Sequence, residues 1–102
     1  MVTTQQVSEL ALSFEGVEAK PHHHKTAFRT KKRIFATLDE KAKTLTVKLS
    51  AVDQSVFCEY DENVIYPVPN KWGNQGWTIV ELESVPEEMF RDMVGVAYEG
   101  AW

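Results

Sequence analysis

The chain reads as a single α+β domain, a two-layer sandwich of antiparallel strands with a helix at either end. Three observations carry that reading. An amphipathic helical stripe comes first. A block of alternating strand runs follows, joined by connections too short for crossovers. A proline- and glutamate-marked helix start lies near the C-terminus. At 102 residues the chain matches one domain of ordinary size, residues 1–102, able to bury a core without staples.

Thr3 or Thr4 can cap the first helix. Val7, Leu10, Ala11 and Phe14 follow at i, i+3, i+4 and i+7, and Gly16 ends it. Pro21 makes further helix unfavourable just beyond. Ala27–Arg29 and Arg33–Leu38 read as strands joined by Thr30-Lys31-Lys32, with Ile34, Ala36 and Leu38 on one face and Phe35 and Thr37 on the other. After the charged turn Asp39–Lys43, the run Thr44–Leu49 alternates with Leu45, Val47 and Leu49 inward. Ala27–Leu49 is therefore expected to be a three-stranded meander. Ser50, with Asp53 three residues on, caps a short helix expected to bury Val52, Val56 and Tyr60. Val64–Val68 is extended but broken by Pro67 and Pro69, so it is an edge strand or a connector. A polar loop, Asn70–Gly76, leads into the strand Trp77–Leu82. Ser84-Val85-Pro86-Glu87 then starts the last helix, whose inward face is Phe90, Met93, Val94, Ala97 and Ala101.

Composition excludes several classes. The chain is 43% apolar and 25% charged, which fits a globular protein and no fibrous or disordered one. No apolar run approaches the roughly 18 residues of a membrane helix, and the first fifteen residues carry no signal-peptide pattern. Cys58 is the single cysteine, so no internal disulfide forms and a reducing cytoplasm is the expected compartment.

The net charge of −4 hides an asymmetry. Between Ala19 and Leu38 lie Lys20, Lys25, Arg29, Lys31, Lys32 and Arg33 with no acid, a span of +6; the remainder holds five basic and fifteen acidic residues. A concentrated basic patch is how an acidic protein can still meet a polyanion. Lys25, Arg29, Lys31, Lys32 and Arg33 are the candidate phosphate contacts, against the alternative that they are a solvated strand edge deterring aggregation. Lys71 and Trp72 join them as a cation beside a base-stacking ring. The competing use of Trp72 is a lid folded onto the core, which is favoured, and Trp77, opening a strand, reads as core.

His22 and His24 can share a face of an extended chain, whereas adjacent His23 cannot join them. Two histidines fall short of a zinc site, and Cys58 bears no recognisable spacing to them. Metal and cofactor are therefore not expected. The two histidines instead supply a pH-dependent supplement to the basic patch. Catalysis has no anchor either: phosphate-cradling loop, nucleophile elbow and zinc-protease helix are all missing, so the chain is read as a non-enzyme.

The segments Ala27-Phe28-Arg29, Ile34-Phe35-Ala36-Thr37-Leu38, Lys48-Leu49-Ser50, Pro67-Val68-Pro69, Trp72-Gly73, Gly76-Trp77-Thr78 and Ala97-Tyr98 together resemble an MmcQ/YjbR-like protein. The resemblance spans nearly the whole chain. It implies a CyaY-like, double-wing α+β fold with the N- and C-terminal helices on one face of an antiparallel sheet. It also implies a DNA-binding label. Lys32 and Arg33 stand where the family usually has glycine and lysine, which implies a wider turn. His22 matches a histidine common ahead of the Ala-Phe-Arg segment. Iron binding of the frataxin kind is not expected, because Glu87, Glu88, Asp92 and Glu99, with Glu9, Glu15 and Glu18, form no dense acidic ridge.

These features lead to a DNA- or nucleic-acid-binding accessory protein using the basic hairpin. The alternative is a module that contacts a protein partner or a second copy through the uncovered sheet face, with Phe35 or Trp77 on it.

Overall fold

The computed structural model describes residues 1–102. In chain order the elements are α1 (Thr4–Ser13), β1 (Glu18–His22), β2 (Lys25–Arg29), β3 (Ile34–Asp39), β4 (Thr44–Lys48), α2 (Ala51–Cys58), β5 (Ile65–Pro67), α3 (Lys71–Asn74), β6 (Trp77–Glu81) and α4 (Glu87–Glu99). The six strands form one sheet in the order β1-β2-β3-β4-β6-β5, and every neighbouring pair is antiparallel. The α+β fold and the terminal helices on one sheet face are as expected; the sheet is larger than the sequence indicated.

Thr3 caps α1 in a full capping box, its hydroxyl accepting from the Gln6 N–H while the Gln6 side chain accepts from the Thr3 N–H. Val7 and Ala11 are the residues this helix buries. The unforeseen strand is β1. All five of its residues are exposed, so no alternation marks it, and Pro21 is tolerated because the strand lies at the sheet edge. His23 and His24 form the two-residue loop between β1 and β2, with His23 in the left-handed region at φ 60.

The turn after β2 is indeed wide and needs no positive φ. The Thr30 hydroxyl organises it, accepting from the N–H groups of Lys32 (3.1 Å) and Arg33 (3.3 Å) and donating to the Ala101 carbonyl (3.0 Å). Beyond the turn, Phe28 pairs with Ala36 but Arg29 pairs with Ile34, so Phe35 is the extra residue of a β-bulge. The expected alternation breaks here. Phe35 turns into the core beside Tyr98 (5.8 Å between rings), while Ile34 moves to the opposite face. Phe35 is therefore excluded from the uncovered face on which it was expected.

Strand β4 alternates as expected, with Leu45, Val47 and, just past its end, Leu49 buried. Helix α2 does not bury what its pattern suggested. Val52, Val56 and Tyr60 are 72%, 58% and 48% exposed. The helix is instead rotated by Gln54, whose amide donates to the Gly73 carbonyl (2.9 Å) and the Thr78 hydroxyl (3.1 Å), with Phe57 and Cys58 packing against the core. With the Trp77 carbonyl at 3.4 Å, three polar partners for one amide outweigh the burial of two valines in setting the rotation. Strand β5 is the expected proline-limited edge. Helix α4 starts at Glu87 with Pro86 at its cap position and no side-chain cap, so Ser84 does not cap it. Ala101 is buried but lies beyond the helix end.

The core lies on one sheet face, where Phe28, Ala36, Leu38, Leu45, Val47, Val80 and Ile65 meet Val7, Ala11, Phe90, Met93, Val94 and Ala97. The other face carries Lys20, Lys25, Thr37, Thr46, Trp77, Ile79 and Tyr66, and neither terminal helix covers it.

Candidate functional site

The uncovered face is not flat. The Pro67–Gly76 connection returns over it and walls a cleft of about 460 Å³, lined by His22, Lys25, Ile34, Thr37, Thr46, Val68, Trp72, Trp77 and Ile79. That volume lies within the range of small-ligand sites, which are mostly apolar with a few polar groups.

Local chemistry explains how the wall is held. The Asn70 side chain accepts from the Trp72 N–H at 2.8 Å, capping the single turn of α3. Gly73 packs so closely that a Cβ would sit 2.0 Å from the Val68 carbonyl oxygen. Gly76 takes φ +104, and a Cβ there would sit 1.9 Å from the Leu49 carbonyl oxygen. The two glycines thus pin the Trp72 turn against the sheet, with Trp72 at the rim and half exposed (50%). Trp72 is neither a core lid nor buried. Trp77 is half-buried on the uncovered face rather than in the core: Thr78 and Val80 take the buried positions.

The structure divides the sequence-predicted residues into four groups. Lys25, His22 and Trp72 line the cleft, and Lys71 is exposed immediately before Trp72. Arg29 is held to its own turn, its guanidinium donating to the carbonyls of Thr30 (3.1 Å) and Lys31 (3.5 Å). Lys31, Lys32 and Arg33 are exposed on that turn and do not line the cleft. His24 leaves the cleft and sits 3.4 Å from an Asp39 carboxylate oxygen, so it shares no site with His22. The Ala42 N–H, together with the charges of His24 and Lys25, holds the Asp39 carboxyl below its ordinary value against the opposing effect of desolvation.

Sequence reasoning placed Trp77 on this face only in the partner-contact alternative, and it missed Ile79, Ile34, Thr37, Thr46 and Val68. The alternation of β6 could have found Ile79, since it shares a face with Trp77 opposite Thr78 and Val80. Chemically, the cleft offers aromatic surface to a planar group, threonine hydroxyls to polar edges, and the Lys25 ammonium to an anion. Among the His, Cys, Asp and Glu side chains, no group of three or more is arranged to hold a metal ion. Burial pushes the Cys58 thiol up from its ordinary value.

The model of the YjbR family matches residues 12–100. The chain belongs to the YjbR family. Among solved structures, a Deinococcus radiodurans protein, DR2400, with a DUF419 domain, superposes with a TM-score of 0.81 at 18% identity, covering 95% of this chain and 76% of that one. A Pseudomonas syringae protein superposes with a TM-score of 0.75 at 12% identity, covering 99% of this chain and all of the other. At these identities the likeness is one of fold. No curated protein matches the chain. Within the family fold, the cleft belongs to the sheet face that the helices leave free.

Proposed function

We propose that this YjbR-family chain is a non-enzymatic nucleic-acid-binding accessory protein of the cytoplasm, and that it takes a short single-stranded segment in the cleft. The observation that carries the reading is the convergence of Trp72, Trp77 and Ile79 with Lys25 in one cleft on the uncovered sheet face. An unpaired base offers a ring to stack on such a platform, and the neighbouring phosphates are within the field of Lys25 and Lys71. A duplex keeps its bases stacked inside, so it can use only the cations. Stacking of one base is worth about 1–3 kcal/mol by alanine substitution. The reading therefore shifts weight from the hairpin turn to the cleft. The fold offers no helix long and apolar enough to cross a membrane.

Fluorescence anisotropy with labelled single-stranded and duplex DNA at about 50 and 200 mM salt tests the proposal. Single-stranded DNA is expected to bind more tightly, with a log–log salt slope of roughly −1.4 to −2.1 for two or three phosphate contacts. Trp72→Ala is expected to weaken it by roughly 5- to 150-fold. No binding at the lower salt, or equal loss for duplex and single strand on removing Trp72, overturns the reading.

A further inference from the structure

Two exposed patches outside the cleft complement each other in both charge and apolarity. The first is on α2 and the loop after it. Val52 and Val56 lie one turn apart on α2 and Tyr60 follows just past its end, all three exposed. Glu59, Asp61 and Glu62 are exposed beside Tyr60. From Ser50 to Asn70 the chain carries four acids and no cation, so nothing within the segment neutralises them. The second patch is the turn after β2. Lys31, Lys32 and Arg33 project into solvent there and make no ion pair with this chain's own acids. The Thr30–Ala101 bond brings the C-terminus to the same place, and Trp102 stands there 45% exposed, one ring edge against Gly16 and its plane edge-on to Tyr98. One patch is thus apolar with three negative charges; the other is the open side of an indole with three positive charges on the turn and Glu18 across from Arg29.

Within one copy the two sets of charges cannot meet. The turn lies past the Arg29–Ile34 pair, at one end of the sheet. The acidic loop leads into Ile65, which is in register with Val80, Leu45, Leu38 and Thr26 toward the opposite end and on the far edge. The acids and the basic turn therefore lie at opposite ends of the sheet, while Val52, which follows β4 closely, lies toward the turn's own end.

We propose that the occupant of the α2 patch is a second copy of this chain, docked head to tail: Trp102 of one copy against Val52, Val56 and Tyr60 of the next, and Lys31, Lys32 and Arg33 against Glu59, Asp61 and Glu62. Such a contact uses two different surfaces, so it propagates into rings or short chains instead of stopping at a symmetric dimer. The area is small and the ion pairs lie at the rim, which makes the association weak and salt-sensitive. The cleft stays free in the assembly, so this inference and the nucleic-acid reading stand or fall separately.

Sedimentation equilibrium over a wide concentration range tests the contact, in low salt and in about 1 M salt, where the Debye length is about 3 Å. The weight-average mass is expected to rise above the monomer's 11.6 kDa with concentration at low salt and to return toward it at high salt. Val56→Ser, at an exposed site, is expected to weaken association about tenfold. The decisive arm uses two charge-reversed chains. One carries Lys31→Glu, Lys32→Glu and Arg33→Glu; the other carries Glu59→Lys, Asp61→Lys and Glu62→Lys. Each alone places like charge on both patches and is expected to be monomeric. Mixed one to one, they restore both contacts and associate, which also shows that each is folded. A wild-type chain that stays at the monomer mass at low salt, or a mixture no more associated than its components, overturns the proposal.

Discussion

The Thr30 hydroxyl donates to the Ala101 carbonyl across 3.0 Å and through that bond ties the basic turn to the C-terminus. Thr30 is 1% exposed, so the groups it satisfies have poor access to water. Thr30→Val keeps the shape, removes the donor to Ala101 and leaves the Lys32 and Arg33 N–H groups without their acceptor. The expected cost is about 1–3 kcal/mol in denaturant unfolding, with Thr30→Ser costing less because the hydroxyl survives. Equal losses for the two variants would mean that the methyl group, not the hydroxyl, matters.

Tyr66 predicts a stability change at high pH. Its hydroxyl donates to the Glu81 carboxylate. That bond, then burial, then the adjacent negative charge, push the phenol up to about 12 from an ordinary value of 10.0. The folded value is raised, so the stabilisation is fully present below pH about 10 and is lost as pH climbs through about 12. Ultraviolet titration should show a phenolate phase near pH about 12. Tyr66→Phe should remove that phase. A titration curve that the substitution leaves unchanged at high pH would mean that the bond to Glu81 does not hold in solution.

The rotation of α2 leaves Val52 on the surface, in contrast to a core residue such as Phe90 on α4. Val52→Ser alters a side chain 72% exposed and is expected to shift stability by no more than about 0.5 kcal/mol. Phe90→Ala, at a residue 1% exposed, is expected to cost about 3–5 kcal/mol. Matched denaturant melts of the two variants measure the contrast. A loss near 2 kcal/mol for Val52→Ser would place the helix in the other rotation.

Gly76 carries two constraints at once, a positive φ and the contact with the Leu49 carbonyl. Gly76→Ala must strain the backbone and push β4 and the Trp72 turn apart, at an expected cost of roughly 3–5 kcal/mol. Gly95, where a Cβ meets nothing within 4 Å, provides the control. Gly95→Ala in the middle of α4 is expected to stabilise by about 0.5–1 kcal/mol. A Gly76→Ala protein as stable as wild type would show that the close approach relaxes cheaply.

Much of the fold was legible in the chain because its signals are local. Thr44–Leu49 alternates without fault, so Leu45, Val47 and Leu49 could only be inward once one face is buried. The capped stripe of α1 and the apolar face of α4 are equally local. Strand β1 was illegible for the opposite reason. It buries nothing, and its hydrogen bonds to β2 are made by backbone that any residue supplies.

The candidate site was only half legible. Residue types alone picked out Lys25, His22 and Trp72, but the same rule picked out Arg29, Lys31, Lys32 and Arg33, which the fold places elsewhere. Alternation along β6 contained the pairing of Trp77 with Ile79, yet an aromatic at the start of a strand reads as core unless the covered face is known. The chain by itself determined α1, the meander strands, β6 and α4, the inward face of β4 and a basic segment set in an acidic background; β1 and the single turn of α3 were not among them. Three long-range facts decided the rest: the Phe35 bulge, the Gln54 amide that turns α2, and the glycine contacts that fold the Trp72 turn over the open sheet. The Gln54 bonds and the Gly76–Leu49 approach join groups far apart in the chain, and the bulge is a register shift within one hairpin; no periodicity along the chain encodes either.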